Sequence, residues 1–94
     1  MSALWITHCI VTDHEAYGQY ARLAKEIIHA HGGEFLVRSG RHRQMEGEDR
    51  PRNVVVRFPS LEAAVACYES PEYQAALEFA KTSSDRNLVI VEEL

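Results

Sequence analysis

The sequence predicts an α+β domain in which helices cover one face of a four-stranded antiparallel sheet. Three observations support this prediction: the order of strand and helix patterns, a length that suits one domain, and strands that are apolar on both faces. The chain has 94 residues, of which 46% are hydrophobic and 26% are charged, and this is the composition of an ordinary globular protein. We therefore expect a single domain with its own core.

The first half of the chain predicts a strand, a long helix and a second strand. Residues 4–11 are mostly β-branched, aromatic or apolar and indicate the first strand. Thr12 followed by Glu15 indicates a capping box at the start of the helix. Apolar residues then recur at steps of three and four, as a helical stripe requires: Tyr17, Tyr20, Ala21, Ala24, Ile27, Ile28 and His31. The glycine pair at 32–33 predicts a left-handed helix end, and residues 35–39 predict the second strand.

The second half predicts a loop, a strand, a broken helical region and a last strand. Residues 41–52 are dense in charge and contain a glycine and a proline, which is typical of a loop. Residues 53–58 indicate the third strand, and Ser60 can cap the helix that follows. The pair at 70–71, serine and proline, predicts that the helix starts again there, and residues 87–92 indicate the last strand.

The resulting order, β-α-β-β-α-β, is that of a ferredoxin-like fold with two helical crossovers on one side of the sheet. Helices then cover only one face, although residues 54–56 and 88–91 are apolar without alternation. The other face needs a partner, and a second copy of the same sheet is the simplest one. We therefore expect residues 1–94 to form a single dimeric α/β-barrel domain, as a homodimer.

Composition argues against several classes of function. A net charge of -4 disfavours a nucleic-acid partner, which needs a basic surface. The sequence has no apolar run of about 18 residues and no export signal, so we expect no membrane partner. Cys9 and Cys67 both lie in apolar patterns, which favours reduced core thiols in a cytoplasmic protein. His29 and His31 point to different faces of one helix, and there is no glycine-rich loop before a helix. We predict neither a metal nor a cofactor.

Arg38 is the charge inside the second strand and the first candidate for a ligand contact. Strict alternation puts it on the same side as Leu36 and Gly40, where the glycine would leave room for a ligand. A guanidinium is a rigid fork suited to a carboxylate, an enolate or a phosphate. The alternative is a structural arginine that pairs with an acid such as Glu46.

His8 is the second candidate for a role in chemistry, because a histidine within an apolar strand can serve as acid or base near neutral pH. It can equally be a neutral core histidine bonded to a neighbouring group. His8 and Arg38 lie on the two strands that flank the third strand, so we expect both to point into one cavity. This pair is the predicted catalytic set.

Five further residues are candidates for substrate binding. Tyr20 and Tyr73, near Trp5, can line a pocket and orient a flat substrate, although core packing is the commoner role of such aromatic residues. Glu46 and Arg52 flank the charged loop and can form a lid or a pair that bridges two subunits, or simply a solvated loop.

Short pieces spread over nearly the whole chain carry a resemblance to a known family. These pieces comprise Trp5, Ile6, His8, Thr12, Asp13, Tyr17, Tyr20, Gly32, Gly33, Phe35, Leu36, Arg38, Gly40, Glu46, Gly47, Arg50, Pro51, Arg52, Phe58, Pro59, Ser60, Ser70, Pro71, Glu72, Tyr73, Gln74 and residues 89–92. In this order and spacing the chain resembles the family called domain of unknown function 1330, small proteins of the dimeric α/β-barrel type. It departs from that family where relatives carry an arginine and this chain has Ala80 and Lys81, and at Glu93, where relatives tend to have glycine.

The resemblance implies the fold and the dimer, and it names no reaction. Related barrels include cofactor-independent monooxygenases, lactone isomerases and haem-handling enzymes. We therefore expect a cytoplasmic homodimer whose facing sheets enclose a pocket for a small organic anion, bound or transformed without a cofactor. Arg38 would anchor the anion and His8 would act as acid or base. The alternative is a non-catalytic dimer that binds a ligand or serves as a structural module, so the sequence leaves open whether the protein is an enzyme.

Overall fold

The computed structural model describes residues 1–94 and has the predicted α+β architecture. Its elements are β1 (Ala3–Val11), α1 (His14–Ala30), β2 (Glu34–Arg38), β3 (Arg52–Phe58), α2 (Leu61–Glu69), α3 (Pro71–Lys81) and β4 (Ser84–Glu92). The strands form one sheet in the order β2-β3-β1-β4, and every neighbouring pair is antiparallel. The predicted ferredoxin-like order is confirmed, with the second crossover divided into α2 and α3.

The ends of α1 follow the predicted chemistry at one end and differ at the other. Asp13 is the N-cap, because its carboxylate accepts a hydrogen bond from the backbone N–H of Ala16 at 3.2 Å. The prediction of Thr12 as the cap is wrong, since α1 begins at His14 and the cap position directly before it is that of Asp13. At the other end Gly32 has a φ of 87°, which confirms the left-handed exit.

Two serines cap the helices of the second crossover, as the sequence predicts. The hydroxyl of Ser60 accepts from the backbone of the first turn of α2. Ser70 accepts from the N–H of Tyr73 at 3.2 Å, and its hydroxyl donates to the carbonyl of Cys67 at 2.8 Å. Ser70 thus joins the end of α2 to the start of α3, which fixes the position of Tyr73 against the sheet.

The two faces of the sheet differ because only one is covered by helices. Trp5, Thr7 and Cys9 of β1 are buried against the helices, whereas Ile6 and His8 lie on the opposite, open face. The core is built around Trp5, which is only 1% exposed. No helix has both the length and the apolar character needed to span a membrane.

A bulge in β2 decides the direction of its last residues. Phe35 pairs with Val56, but the register shifts before Val37, which pairs with Val55. Arg38 consequently pairs with Val54, a residue of the helix-covered face. Strict alternation predicted that Arg38 would lie on the same side as Leu36. The extra residue of the bulge places Arg38 on the same side as Phe35 instead.

The last strand begins at Ser84, three residues earlier than the sequence suggested. Residues Asp85 and Arg86 therefore belong to the sheet, and Arg86 pairs directly with Cys9 of β1. Because Cys9 faces the helices, Arg86 also lies on the covered face.

Candidate functional site

A narrow cleft lies between α1 and the covered face of the sheet. Its inner cavity measures about 30 Å³, which is room for a water molecule or two or for one small acidic group. Of its 13 lining residues eight are hydrophobic, and these include Trp5, Tyr17, Tyr20 and Phe35. The others are one threonine and four cations, so no acidic side chain lines the cleft.

Three of the cations are arginines that come from three different strands. Arg38 ends β2, Arg52 begins β3 and Arg86 lies near the start of β4. Arg52 and Arg86 both pair with Cys9, one from each side of β1, so their Cα atoms are two strand spacings apart, about 9.6 Å. The fourth cation, Lys25, comes from the exposed side of α1.

Each of these arginines rests on an aromatic ring. The guanidinium carbon of Arg38 is 5.3 Å from the ring centroid of Phe35. The corresponding distances are 5.1 Å for Arg52, which lies over the Tyr17 ring, and 4.8 Å for Arg86, which lies over the Tyr20 ring. Cation–π contact of this kind holds a guanidinium in place without supplying a hydrogen-bond acceptor to its N–H groups.

None of the four cations of the cleft takes part in an ion pair. The ion pairs of the chain involve other residues, such as Arg57 with Glu93 and Arg50 with Asp85. The Nε atoms of Arg52 and Arg86 are buried and have no hydrogen-bond partner. A buried donor without an acceptor costs free energy, more so when it carries charge, so this arrangement is suited to an incoming anion.

Arg86 connects the cleft to a pair of buried tyrosines. The hydroxyl oxygens of Tyr20 and Tyr73 are 2.6 Å apart, and Nη2 of Arg86 donates to both, at 3.2 Å and 3.4 Å. Burial raises the pKa of Tyr73, and the neighbouring Tyr20 raises it further. Arg86 has the opposite effect, which is smaller than that of burial. Burial alone would lower the pKa of Arg86, but the tyrosine oxygens reverse this and raise it. Tyr73 therefore stays protonated and Arg86 stays charged.

Two further hydroxyls are held with their oxygens occupied. Thr7 accepts a hydrogen bond from Nε1 of Trp5 at 3.0 Å, and Tyr17 accepts one from the thiol of Cys9 at 3.5 Å. Burial raises the pKa of Tyr17. The lining of the cleft thus provides cations and hydroxyl groups but no histidine and no carboxylate that could act as a base.

The predicted pairing of His8 with Arg38 in one cavity is wrong. His8 lies on the open face, where Nδ2 of Asn87 is 3.3 Å from its Nε2 and Asn53 is its partner on β3. The bulge in β2 turns Arg38 to the opposite side of the sheet. A role for His8 as acid or base stays a prediction, and it would belong to the open face and not to the cleft.

The other predicted residues divide in the same way. Trp5, Tyr20 and Arg52 line the cleft, and Tyr73 reaches it through its hydrogen bond with Tyr20. Glu46 lies in the exposed loop before β3 and forms no ion pair with Arg38. A lid, or a pair of Glu46 with Arg52 that bridges two subunits, stays a prediction.

Arg86 is the functional candidate that sequence reasoning missed. It lies two residues before Leu88 and four before Ile90, both of which pack against the core. Its period-two spacing from these residues was the available signal, but it is informative only if the strand begins before residue 86. The prediction started the strand at residue 87 and left Arg86 outside it.

Comparison with known proteins agrees with this architecture. The family model described as "Domain of unknown function (DUF1330)" matches residues 2–94. The chain belongs to this family. No curated protein matches it.

Several solved structures share the fold of this DUF1330 protein. A protein of unknown function from Rhodopseudomonas palustris is 18% identical, with a TM-score of 0.80 over 99% of this chain and 82% of its own. A dimeric ferredoxin-like protein of unknown function from Jannaschia sp. CCS1 is 16% identical, with a TM-score of 0.73 over 99% of this chain and 100% of its own. SnoaB, a cofactor-independent oxygenase from Streptomyces nogalater, is 13% identical, with a TM-score of 0.65 over 99% of this chain and 93% of its own. At these identities the likeness concerns the fold alone.

Proposed function

We propose that this protein is a cytoplasmic homodimer, a dimeric α/β barrel formed by residues 1–94, in which each protomer binds a small organic anion. The proposed site is the cleft between α1 and the sheet, and not a pocket between two sheets. The observation that carries the proposal is the set of cations in this cleft, Lys25, Arg38, Arg52 and Arg86, without an acidic partner.

The distribution of charge supports an anion as the ligand. The whole chain has a net charge of -4, with ten Lys and Arg residues against fourteen Asp and Glu residues. Four of the ten basic residues nevertheless line one cleft that contains no acid. A small anion would supply acceptors to the buried Nε atoms of Arg52 and Arg86 and balance their charge in a site of low dielectric.

The size of the cavity limits what can enter it. About 30 Å³ accommodates one acidic group, so the rest of a larger molecule would lie at the mouth, beside the exposed side chains of Lys25 and Arg38. The aromatic walls favour a flat or unsaturated ligand over a bulky one.

Binding is better supported than catalysis. No histidine and no carboxylate lines the cleft, and the raised pKa values of Tyr17 and Tyr73 prevent these hydroxyls from acting as bases near neutral pH. The competing proposal is a cofactor-independent enzyme, for which the likeness of fold to SnoaB is an analogy only. Turnover that His8→Ala abolishes while binding in the cleft is unchanged would favour the enzyme, and it would place the chemistry on the open face and not in the cleft.

A homodimer is supported by the uncovered face of the sheet. Its centre is apolar and carries Ile6, Val55, Val37, Val89 and Val91, the last three of which are 40%, 54% and 45% exposed. A continuous apolar surface of this kind favours association with a second sheet. The Jannaschia protein of the same fold is described as dimeric.

The anion site is tested by measuring thermal unfolding in the presence of small carboxylates, lactones and phenols. A carboxylate at about 100 times its dissociation constant adds roughly 2.7 kcal/mol, which raises the midpoint by several degrees. We expect this shift in the wild type, and we expect Arg38→Ala and Arg52→Ala to lose most of it. Arg22→Ala, which removes an exposed arginine of α1 outside the cleft, is the control and should retain the shift. If no carboxylate shifts the wild type, the proposed anion site is wrong.

A further inference from the structure

We propose that Tyr20 donates its hydroxyl proton to the bound anion and that Tyr73 fixes this direction, so that the cleft selects an ionised acid over its amide. The inference rests on the proposed function of the cleft and names the chemical class and the residues that select it. It follows from counting the protons of the Tyr20–Tyr73–Arg86 network and from the position of each residue in it.

The two tyrosines have two hydroxyl protons, and only one of these can lie in the hydrogen bond between the two oxygens. One proton lies in the 2.6 Å hydrogen bond that joins the oxygens of Tyr20 and Tyr73. Arg86 has only donors, and its Nη2 atom occupies a further acceptor position on each oxygen. One hydroxyl proton is therefore left without an acceptor in the chain.

The position of the two residues decides which proton is left over. Tyr73 is 0% exposed and does not line the cleft, so its proton has no acceptor except the oxygen of Tyr20. Tyr20 lines the cleft, where a ligand atom can accept. The arrangement without an orphaned proton is therefore Tyr73 donating to Tyr20 and Tyr20 donating into the cleft.

Other polar groups of the cleft also offer hydrogen-bond donors to the ligand. Thr7 accepts a hydrogen bond from Trp5, and its hydroxyl keeps one proton that it can donate to the ligand. The buried Nε of Arg86 adds an N–H group without a partner. A carboxylate, which only accepts, satisfies such a site, whereas the NH₂ group of an amide would meet donors.

The roles of the residues differ accordingly. Tyr20 and Arg86 would contact the anion directly. Tyr73 would act through Tyr20 as a positioning residue, because its hydroxyl occupies the oxygen of Tyr20 and so keeps Tyr20 from accepting a proton from the ligand. Without the hydroxyl of Tyr73, the Tyr20 oxygen regains an acceptor position and tolerates an amide.

The test compares acids with their amides, benzoate with benzamide and succinate with succinamide, by calorimetric titration of the folded full chain. The wild type should bind the acids and bind the amides at least tenfold more weakly. Tyr20→Phe should weaken acid binding by about 10- to 100-fold, the effect of a lost hydrogen bond to a charged group. Tyr73→Phe should lower the ratio of acid to amide affinity by about tenfold, in part because amide binding improves.

Tyr68→Phe is the matched control. Tyr68 packs on Trp5 and Tyr73 at ring distances of 5.9 Å and 5.3 Å, and its hydroxyl makes no hydrogen bond, so acid and amide affinities should not change. Acid binding that survives unchanged in Tyr20→Phe would overturn the inference and leave the anion site intact. Equal weakening of acid and amide in Tyr73→Phe would reduce Tyr73 to a packing role. If the wild type binds no acid, the proposed function itself fails.

Discussion

Single side chains explain why the cleft is prepared for a ligand. Arg52 and Arg86 are packed against aromatic rings and not against carboxylates, so their positions are held while their Nε–H groups have no acceptor. Cation–π contact contributes roughly 0.5–2 kcal/mol, less than the cost of an unpaired buried charged donor. Ligand binding would remove that cost, and the ordered rings would keep the guanidinium groups in place beforehand.

A second residue-scale consequence concerns the thiol of Cys67. Burial raises its pKa from an ordinary value of 9.0 to about 11, and the charge of Glu72 adds to the shift. Between these pH values the thiol ionises in the unfolded chain and stays protonated in the folded one, so the unfolded state binds fewer protons and stability falls as pH rises. We expect urea midpoints to decline between pH 9 and pH 11. The decline should be smaller in Cys67→Ala, and an equal decline in both proteins would contradict this assignment.

At the scale of elements, the junction of α1 and β2 is packed without spare volume. A Cβ atom at Gly33 would lie 2.5 Å from Cγ2 of Ile28, 2.9 Å from Cγ1 of Val56 and 3.0 Å from the Ile28 carbonyl oxygen. Ile28 and Val56 belong to the core, and the carbonyl oxygen of Ile28 is a backbone atom that cannot move aside as a flexible side chain could. The close approach of helix and strand that closes one end of the cleft therefore depends on glycine at this position.

We predict that Gly33→Ala destabilises the fold by about 1–3 kcal/mol, because the added methyl group must displace Ile28 or separate α1 from the sheet. Gly40→Ala is the control, since a Cβ atom there meets nothing within 4 Å. Chemical denaturation of both variants measures the difference. A Gly33→Ala protein as stable as the Gly40→Ala protein would show that the junction is looser than described.

At the scale of the whole molecule, the sheet has one face covered by three helices and one face without a cover. The open face is apolar in its centre and polar at its ends, where Arg57 pairs with Glu93 and where His8 meets Asn87. A second copy placed on this face would bury the apolar centre while the polar ends specify the register.

We predict that Val89→Asp shifts the protein from dimer to monomer at micromolar concentration, because a carboxylate would be buried at the centre of the proposed interface. Leu23→Asp is the matched control, since Leu23 is 46% exposed on α1 and Val89 is 54% exposed on the open face. Light scattering coupled to gel filtration gives the mass of each variant. A wild type that is monomeric under these conditions would exclude the dimeric barrel.

Much of the architecture could be predicted because burial leaves a local periodic signal. The helix of residues 14–30 and the start of α3 at Pro71 follow from stripes and caps only a few residues long. The candidate site was predicted in part, since Tyr20, Arg52 and Arg38 do line one cleft. Tyr20 was chosen as an aromatic residue able to line a pocket, Arg52 because it flanks the charged loop, and Arg38 as a charge inside an apolar strand. His8 was chosen on the same grounds as Arg38, but its side chain points to the opposite face of the sheet.

The sequence by itself thus determined the elements, their order and the presence of two apolar faces. These features depend on residues that are close together in the chain, within one or two helical turns or within one strand. Which face each arginine occupies was decided by tertiary structure. The bulge in β2 reverses Arg38, and the pairing of β4 with β1 brings Arg86 opposite Cys9. Both depend on strand register between residues far apart in the chain, and a shift of a single residue moves a side chain to the other side of the sheet.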